Sequence, residues 1–253
     1  SHSVGEAMED LRRLGEERLG KADLNSGLEY GTIAISKYRR TDGTNSWLVT
    51  IPGTDGKRDS PFGWPQNVEL MSSDSKQRME ADSARMVQEA MKQAGINSDE
   101  PVALIGHSQG GIVAATIASD LKDDYDVKHV VTAGSPVANH PIPDKTWVTS
   151  VEMDDELVAA LDGAPNPNSE HWLTVRGTAS KSDNNPKSTF AGTPVIDAPD
   201  NKEITHWLKY HQAAYQNATD MGSSAMKTHE QHFDEILDGD LQEVMYFEGR
   251  MSK

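Results

Sequence analysis

The sequence predicts an α/β protein built on a mostly parallel central sheet with helices on both faces. Three observations carry that expectation. Short apolar runs recur along the chain as "SWLVTIPG", "VALIG", "VKHVVTAGSP", "TWVTSVEM" and "HWLTVRGT", separated by helical patterns or long loops. Several are apolar at successive rather than alternate positions, which suits strands buried on both sides. At residues 106–111 the VALIG run also gives way at once to a small-residue, helix-compatible run, the succession of a strand and its following helix.

In chain order, Val4, Ala7, Met8, Leu11 and Leu14 recur at helical spacing, so the first segment reads as an amphipathic helix ending near Gly20. Residues 1–24 are accordingly assigned to an N-terminal helical arm and 25–253 to a single α/β domain. From Gly31 the text turns to β: "GTIAISKYRR", a turn over Thr41–Asn45, and "SWLVTIPG" form a hairpin that feeds a core strand. "TDGKRDSPFGWPQN" is a loop by composition. Met86, Val87, Ala90, Met91 and Ala94 share one helical face, and Gly95 stands where a terminator belongs. Near the C-terminus "THEQHFDEILDGD" reads as helix and "QEVMYFEG" as strand. No internal repeat or low-complexity tract is present.

Composition removes several function classes. A chain of 253 residues can bury a large core, and its length suits one α/β domain better than two. The formal charge of −16 and pI near 4.9 argue against a nucleic-acid backbone or an anionic membrane surface as the main partner. With no cysteine there is no disulfide, thiolate metal site or cysteine nucleophile. No run of about 18 apolar residues is present, so no membrane span is expected. The opening "SHSVGEAMED" has neither an initiator methionine nor an apolar signal core. An upstream segment is therefore expected to be missing together with any address it carries, and cytoplasmic and secreted locations stay open.

The chemistry concentrates at "VALIGHSQGGIVAAT", residues 102–116. Gly106 and Gly110 flank Ser108 and let the backbone turn sharply between strand and helix, which would hold the serine out at the tip. The pattern Gly-x-Ser-x-Gly alone arises by chance in about one chain of this length in ten. Its placement between an apolar strand and a small-residue helix is what favours a nucleophile over an ordinary glycine turn. A serine there needs a base to activate it and donors to bind the developing oxyanion.

The GHSQGG elbow, the preceding "LVTIPGT", the following "VVTAGSP" and the later "VEMDDELVAALDG" together resemble the α/β-hydrolase fold, most of all its lipase-class-3-like and cutinase-like serine esterases. The resemblance runs from about Trp47 to Thr219 and lies in the order of the motifs more than in any one of them. It implies an acid after the Thr146 strand and a histidine after the His171 strand. The histidine candidates are His206, His211, His229 and His232. "HQAAYQNAT" resembles the family's loop-borne histidine followed by a tyrosine four residues on and a helix, which favours His211; His206 has the same spacing to Tyr210 and remains its rival. His229 and His232 form HEQH, without the separation of the HExxH zinc motif, and are assigned to a solvated helix face. The family's aspartate aligns through "LVAAL" onto Glu156, one position from Asp155 and two from Asp154, with Ala159 where proline is common. Glu156 is ranked ahead of Asp155, since the role is to hold the imidazole and stabilise its cation. The oxyanion donors implied are the backbone N–H of Gln109 and Thr54 of "IPGT".

The sequence therefore points to a serine carboxylesterase or lipase-type hydrolase working through an acyl-enzyme on Ser108, needing no metal and no organic cofactor. Its substrate would be a small-molecule or lipid ester. An aromatic content of 6% and a mean hydropathy of −0.64 favour soluble or short-chain esters over triglyceride droplets. Two alternatives stand beside this reading: a binding module that keeps the fold without catalysis, and an acyltransferase with the same triad and a different acceptor. Oligomeric state is not legible.

Overall fold

The computed structural model describes residues 3–18, 31–53, 82–153, 165–177, 179–181, 188–190, 193–195 and 208–249. The chain begins with α1 (Val4–Arg18), whose Val4, Ala7, Met8, Leu11 and Leu14 are all buried, the stripe that their spacing implies. A hairpin follows, β1 (Gly31–Arg40) and β2 (Asn45–Ile51). Its turn is fixed by Gly43 at φ 85° and by Asp42 Oδ1 accepting from the Thr44 N–H at 2.9 Å. Next come α2 (Asp82–Ala94), β3 (Pro101–His107), α3 (Gln109–Asp120), β4 (Asp126–Ala133), β5 (Trp147–Met153) and β6 (Trp172–Gly177). A small antiparallel sheet is made by β7 (Ala179–Lys181), β8 (Ser188–Phe190) and β9 (Thr193–Val195). The helices α4 (Leu208–Met221) and α5 (Ser224–Ile236) and the strand β10 (Gly239–Gly249) complete the chain.

The main sheet has the order β10-β1-β2-β3-β4-β5-β6. The five strands from β2 to β6 are parallel, and β1 and β10 add two antiparallel strands at one edge. This is the mostly parallel sheet expected from the apolar runs, and helices cover both faces. On one side α1, α4 and α5 bury Met8, Leu11, Tyr210, Tyr215 and Phe233 against Leu48, Ile105, Val131 and Val151. On the other, α2 and α3 bury Val87, Met91, Val113 and Ile117 against Ile35, Val49, Leu104 and Val130. Because β2 to β5 are parallel, their C-terminal ends share one edge, where open α/β sheets hold their ligands.

The helix α1 packs in the same cluster as β1, β2 and β3, while residues 19–30, between it and β1, lie outside the described residues. Leu11 is 1% exposed. Leu11→Ala is expected to destabilise the fold by about 2–5 kcal/mol through lost transfer energy and the cavity left behind. Urea unfolding would show this as a lower midpoint with an unchanged slope.

Candidate active site

The strand β3 ends at His107 and α3 starts at Gln109, so Ser108 alone makes the turn between them. It does so at φ 58°, ψ −124°, and among the described residues it is the one non-glycine with positive φ. Such a backbone costs about 1–3 kcal/mol and persists only where its surroundings enforce it. The enforcing bonds are visible. The Ser108 N–H donates to the Ala133 carbonyl at 2.8 Å, and its own carbonyl accepts from Ser135 Oγ at 2.7 Å and from the Gly111 N–H at 3.1 Å. The hydroxyl of Ser108 does not cap α3.

The surrounding glycines are required by contact. A Cβ at Gly106 would lie 2.3 Å from the Gly110 backbone, and one at Gly110 would lie 2.2 Å from the Ile51 carbonyl oxygen. A Cβ at Gly111 would sit 1.9 Å from Ser135 Oγ. Backbone thus packs on backbone at Gly106 and Gly110, and a side chain packs on backbone at Gly111. The missed member is Ser135: it stands in the "AGSP" that follows β4, and its hydroxyl ties that loop to the elbow. Its signal in the sequence was a small polar residue directly after the strand neighbouring the elbow strand.

The loop after β2 also reaches the serine. A Cβ at Gly53 would stand 2.8 Å from His107 Nδ1 and 3.1 Å from Ser108 Cβ, so the chain passes against Ser108 just before Thr54. Thr54 itself lies outside the described residues. The N–H of Gln109 belongs to the first residue of α3, where the helix dipole favours negative charge. The Gln109 side chain is buried and its amide N and O have no hydrogen-bond partner among the described residues, a desolvated polar group directly beside Ser108.

His211 is fully buried in the first turn of α4. The sequence comparison placed it on a loop with a helix following; here the helix has already begun. Its ring meets the ring of His107, the residue before Ser108, edge-on with centroids 5.8 Å apart and planes at 61°. The apolar side of α4, with Tyr210, Ala213 and Ala214, packs on Ile105, Val131 and Val151, and this brings His211 to the elbow end of the sheet. His206 lies outside the described residues, as do Asp154, Asp155 and Glu156. Those three acids follow directly on Met153, where β5 ends, and the Val151 carbonyl accepts from the Gly134 N–H at 3.0 Å, level with the elbow. Glu152 is a different matter: it accepts from Asn166 Nδ2 at 2.8 Å and lies 3.7 Å from the Arg176 guanidinium. Strand alternation puts it on the face opposite Val151 and Met153, away from α4.

The histidines of HEQH are not on a solvated face. His229 is 3% exposed and His232 half-buried, both turned into the sheet at β4 and β5, because a polar side chain that finds partners inside reads in sequence like one facing water. Among the described residues no group of three or more His, Asp or Glu is arranged to hold a metal ion, and no helix is long and apolar enough to cross a membrane.

A mostly parallel sheet flanked by helices, with a strained serine at the strand–helix junction, defines a protein of the α/β-hydrolase superfamily. Within it, the chain belongs to the PGAP1-like alpha/beta domain family, which matches residues 67–202, more than half of its length. Neither a curated protein nor a solved structure matches the chain. The matched span contains Ser108 and residues 154–156, and ends before both His206 and His211.

Proposed function

We propose that the protein is a serine hydrolase that cleaves carboxylic esters through an acyl-enzyme on Ser108, a carboxylesterase akin to the lipase-class-3-like and cutinase-like enzymes. The observation that carries this reading is the left-handed Ser108 at the end of β3, held by Ala133 and Ser135 with the Gly53 loop against it and the His211 ring close by. Strain is maintained at such a point where the geometry serves a purpose.

In this mechanism Ser108 Oγ attacks the ester carbonyl as His211 takes its proton. His211 returns that proton to the departing alcohol, and the Ser108 acyl ester remains. Water, deprotonated by the same imidazole, then attacks the acyl carbon, and the carboxylic acid leaves as Ser108 recovers its proton. Glu156, or Asp155 beside it, orients the imidazole, and the N–H groups of Gln109 and Thr54 stabilise the oxyanion. None of these steps calls on a metal or cofactor.

The test is saturable hydrolysis of p-nitrophenyl butyrate by the purified protein, followed by its variants. His211→Gln is expected to lower kcat by about 10³–10⁴ or more, with His206→Gln retaining most activity. Glu156→Gln is expected to cost up to about 10⁴, and Asp155→Asn little. A dead His206→Gln with an active His211→Gln would move the base to His206. A well-folded wild type without turnover on any short ester would overturn the reading.

A further inference from the structure

At the opposite edge of the sheet from Ser108, four histidines gather around Trp147, none of them used by the mechanism above. Trp147 opens β5 and is stacked by His232 of α5, with centroids 4.1 Å apart and planes at 7°. His171 is stacked on it as well, at 4.6 Å and 18°. His129 of β4 is wholly buried beneath them, with Phe233 edge-on at 5.5 Å.

The hydrogen bonds in this cluster fix one another's direction. The Glu170 carbonyl can only accept, so His229 Nε2, 3.0 Å away, carries a proton and donates. In a neutral ring His229 Nδ1 is then an acceptor, and the Thr149 hydroxyl 3.3 Å away donates to it. Thr149 Oγ1 accepts in turn from His129 Nε2 at 2.8 Å. That leaves His129 Nδ1 as an acceptor, so His232 Nδ1, at 3.0 Å, must be the donor. The result is a single polarised chain from His232 through His129, Thr149 and His229 to Glu170, in which every contact is satisfied while all three rings are neutral.

We propose that this chain is an acid-release latch: neutral, it clamps α5 to β4 and β5, and protonation of its inner histidines releases α5. A second proton on His129 has to sit on Nδ1; its contact with His232 then holds only if His232 carries its own proton on Nε2, and the charge rests on a ring wholly shut off from water. A second proton on His229 has to sit on Nδ1, facing the Thr149 hydroxyl, whose own proton is then left without an acceptor in a buried site. His232 alone can take a proton on Nε2 with the chain intact, which sets a charge against the buried His129.

The charges around the cluster do not rescue the cationic forms. Lys128, paired with Asp126 at 3.3 Å, works against a charge on His232, Glu235 favours one, and His171 opposes charge on both His229 and His232. His171 is itself held by donating Nδ1–H to the Asp144 carbonyl at 2.7 Å. Burial is the largest influence on each ring: it pushes His129 well below the usual histidine range, lowers His229, and takes His232 to about 4. With folded values depressed, the latch is at full strength above about pH 6.5, the ordinary histidine value, and weakens as the pH falls below it.

Release would be felt at the serine. Glu230 of α5 accepts from the Tyr215 hydroxyl of α4, the helix that carries His211, and from the Val4 N–H of α1 at 2.9 Å. Letting α5 go therefore unties two neighbouring helices.

Amide hydrogen exchange of the intact protein from pH 7.5 to 4.5, corrected for the intrinsic pH dependence, tests the latch. Three protons taken up on opening, one each by His129, His229 and His232, should raise the opening constant of α5 by up to about a thousandfold per pH unit below pH 6.5 while α3 stays protected. His129→Gln should reduce that slope to about a hundredfold at most. Protection of α5 that is unchanged over the range, or lost together with that of α3 in one global transition, would overturn the proposal. Nitrogen-15 spectra of the wild type at pH 7.5 read the same device without a variant: Nε2–H on His129 and His229 and Nδ1–H on His232 are expected, and a cationic His129 or an Nδ1–H on His229 would contradict it.

Discussion

Ser108→Ala is expected to abolish ester hydrolysis, lowering kcat by about 10⁴–10⁶, while leaving the fold in place. The bonds that hold the elbow are made by the backbone of residue 108, N–H to Ala133 and carbonyl from Ser135 and Gly111, and all survive the change. Alanine keeps the Cβ and hence the strain at φ 58°. Ser108→Gly should be equally inactive and yet more stable than Ser108→Ala, by about 1 kcal/mol, because glycine occupies positive φ without steric cost. Paired urea titrations would show this. A dead glycine variant with a raised midpoint would mean that stability is given up at this residue for the sake of its geometry.

Gly110→Ala is expected to have the largest effect on folding. The added methyl would lie 2.2 Å from the Ile51 oxygen and 2.5 Å from the Pro52 oxygen, both main-chain atoms that cannot swing aside as a side chain would. Gly106→Ala meets Gly110 and Gly111 backbone at 2.3–2.5 Å. Overpacking in a core ordinarily costs about 1–3 kcal/mol, and here the neighbours are backbone of the central strands, so each change should exceed that range. Gly43→Ala is the control: it shares a positive φ, at 85°, and has nothing within 4 Å, so it should lose only about 1 kcal/mol. Equal, small losses at positions 43 and 110 would show that the elbow relaxes and that its tight packing is not required.

Features written in contiguous residues were legible in the sequence. The VALIG strand, the glycines around Ser108 and the α2 stripe closed by Gly95 needed only local pattern, and Gly95 indeed adopts φ 86°. The pairing of β10 with β1 was not legible, because it joins segments about two hundred residues apart and no short-range signal specifies which edge a terminal strand takes. Ser135 was missed for a related reason: its partner is a backbone carbonyl 27 positions away, and a small polar residue after a strand does not by itself say what its hydroxyl reaches. The histidines at 229 and 232 were misjudged because polarity in a sequence does not say whether the partner is water or, as here, the side chains of His129 and Thr149. The spacing to Tyr215 singled out His211 as a candidate, but that spacing could not say that α4 begins before it.

The central claim, that Ser108 is an activated nucleophile, is tested most directly by a fluorophosphonate probe with peptide mapping of the labelled, folded protein. One probe per chain on the peptide containing Ser108, lost on prior heat unfolding and absent from Ser108→Ala, is the result expected. No labelling of well-folded wild type, or labelling at another residue with Ser108 unmodified, would contradict it.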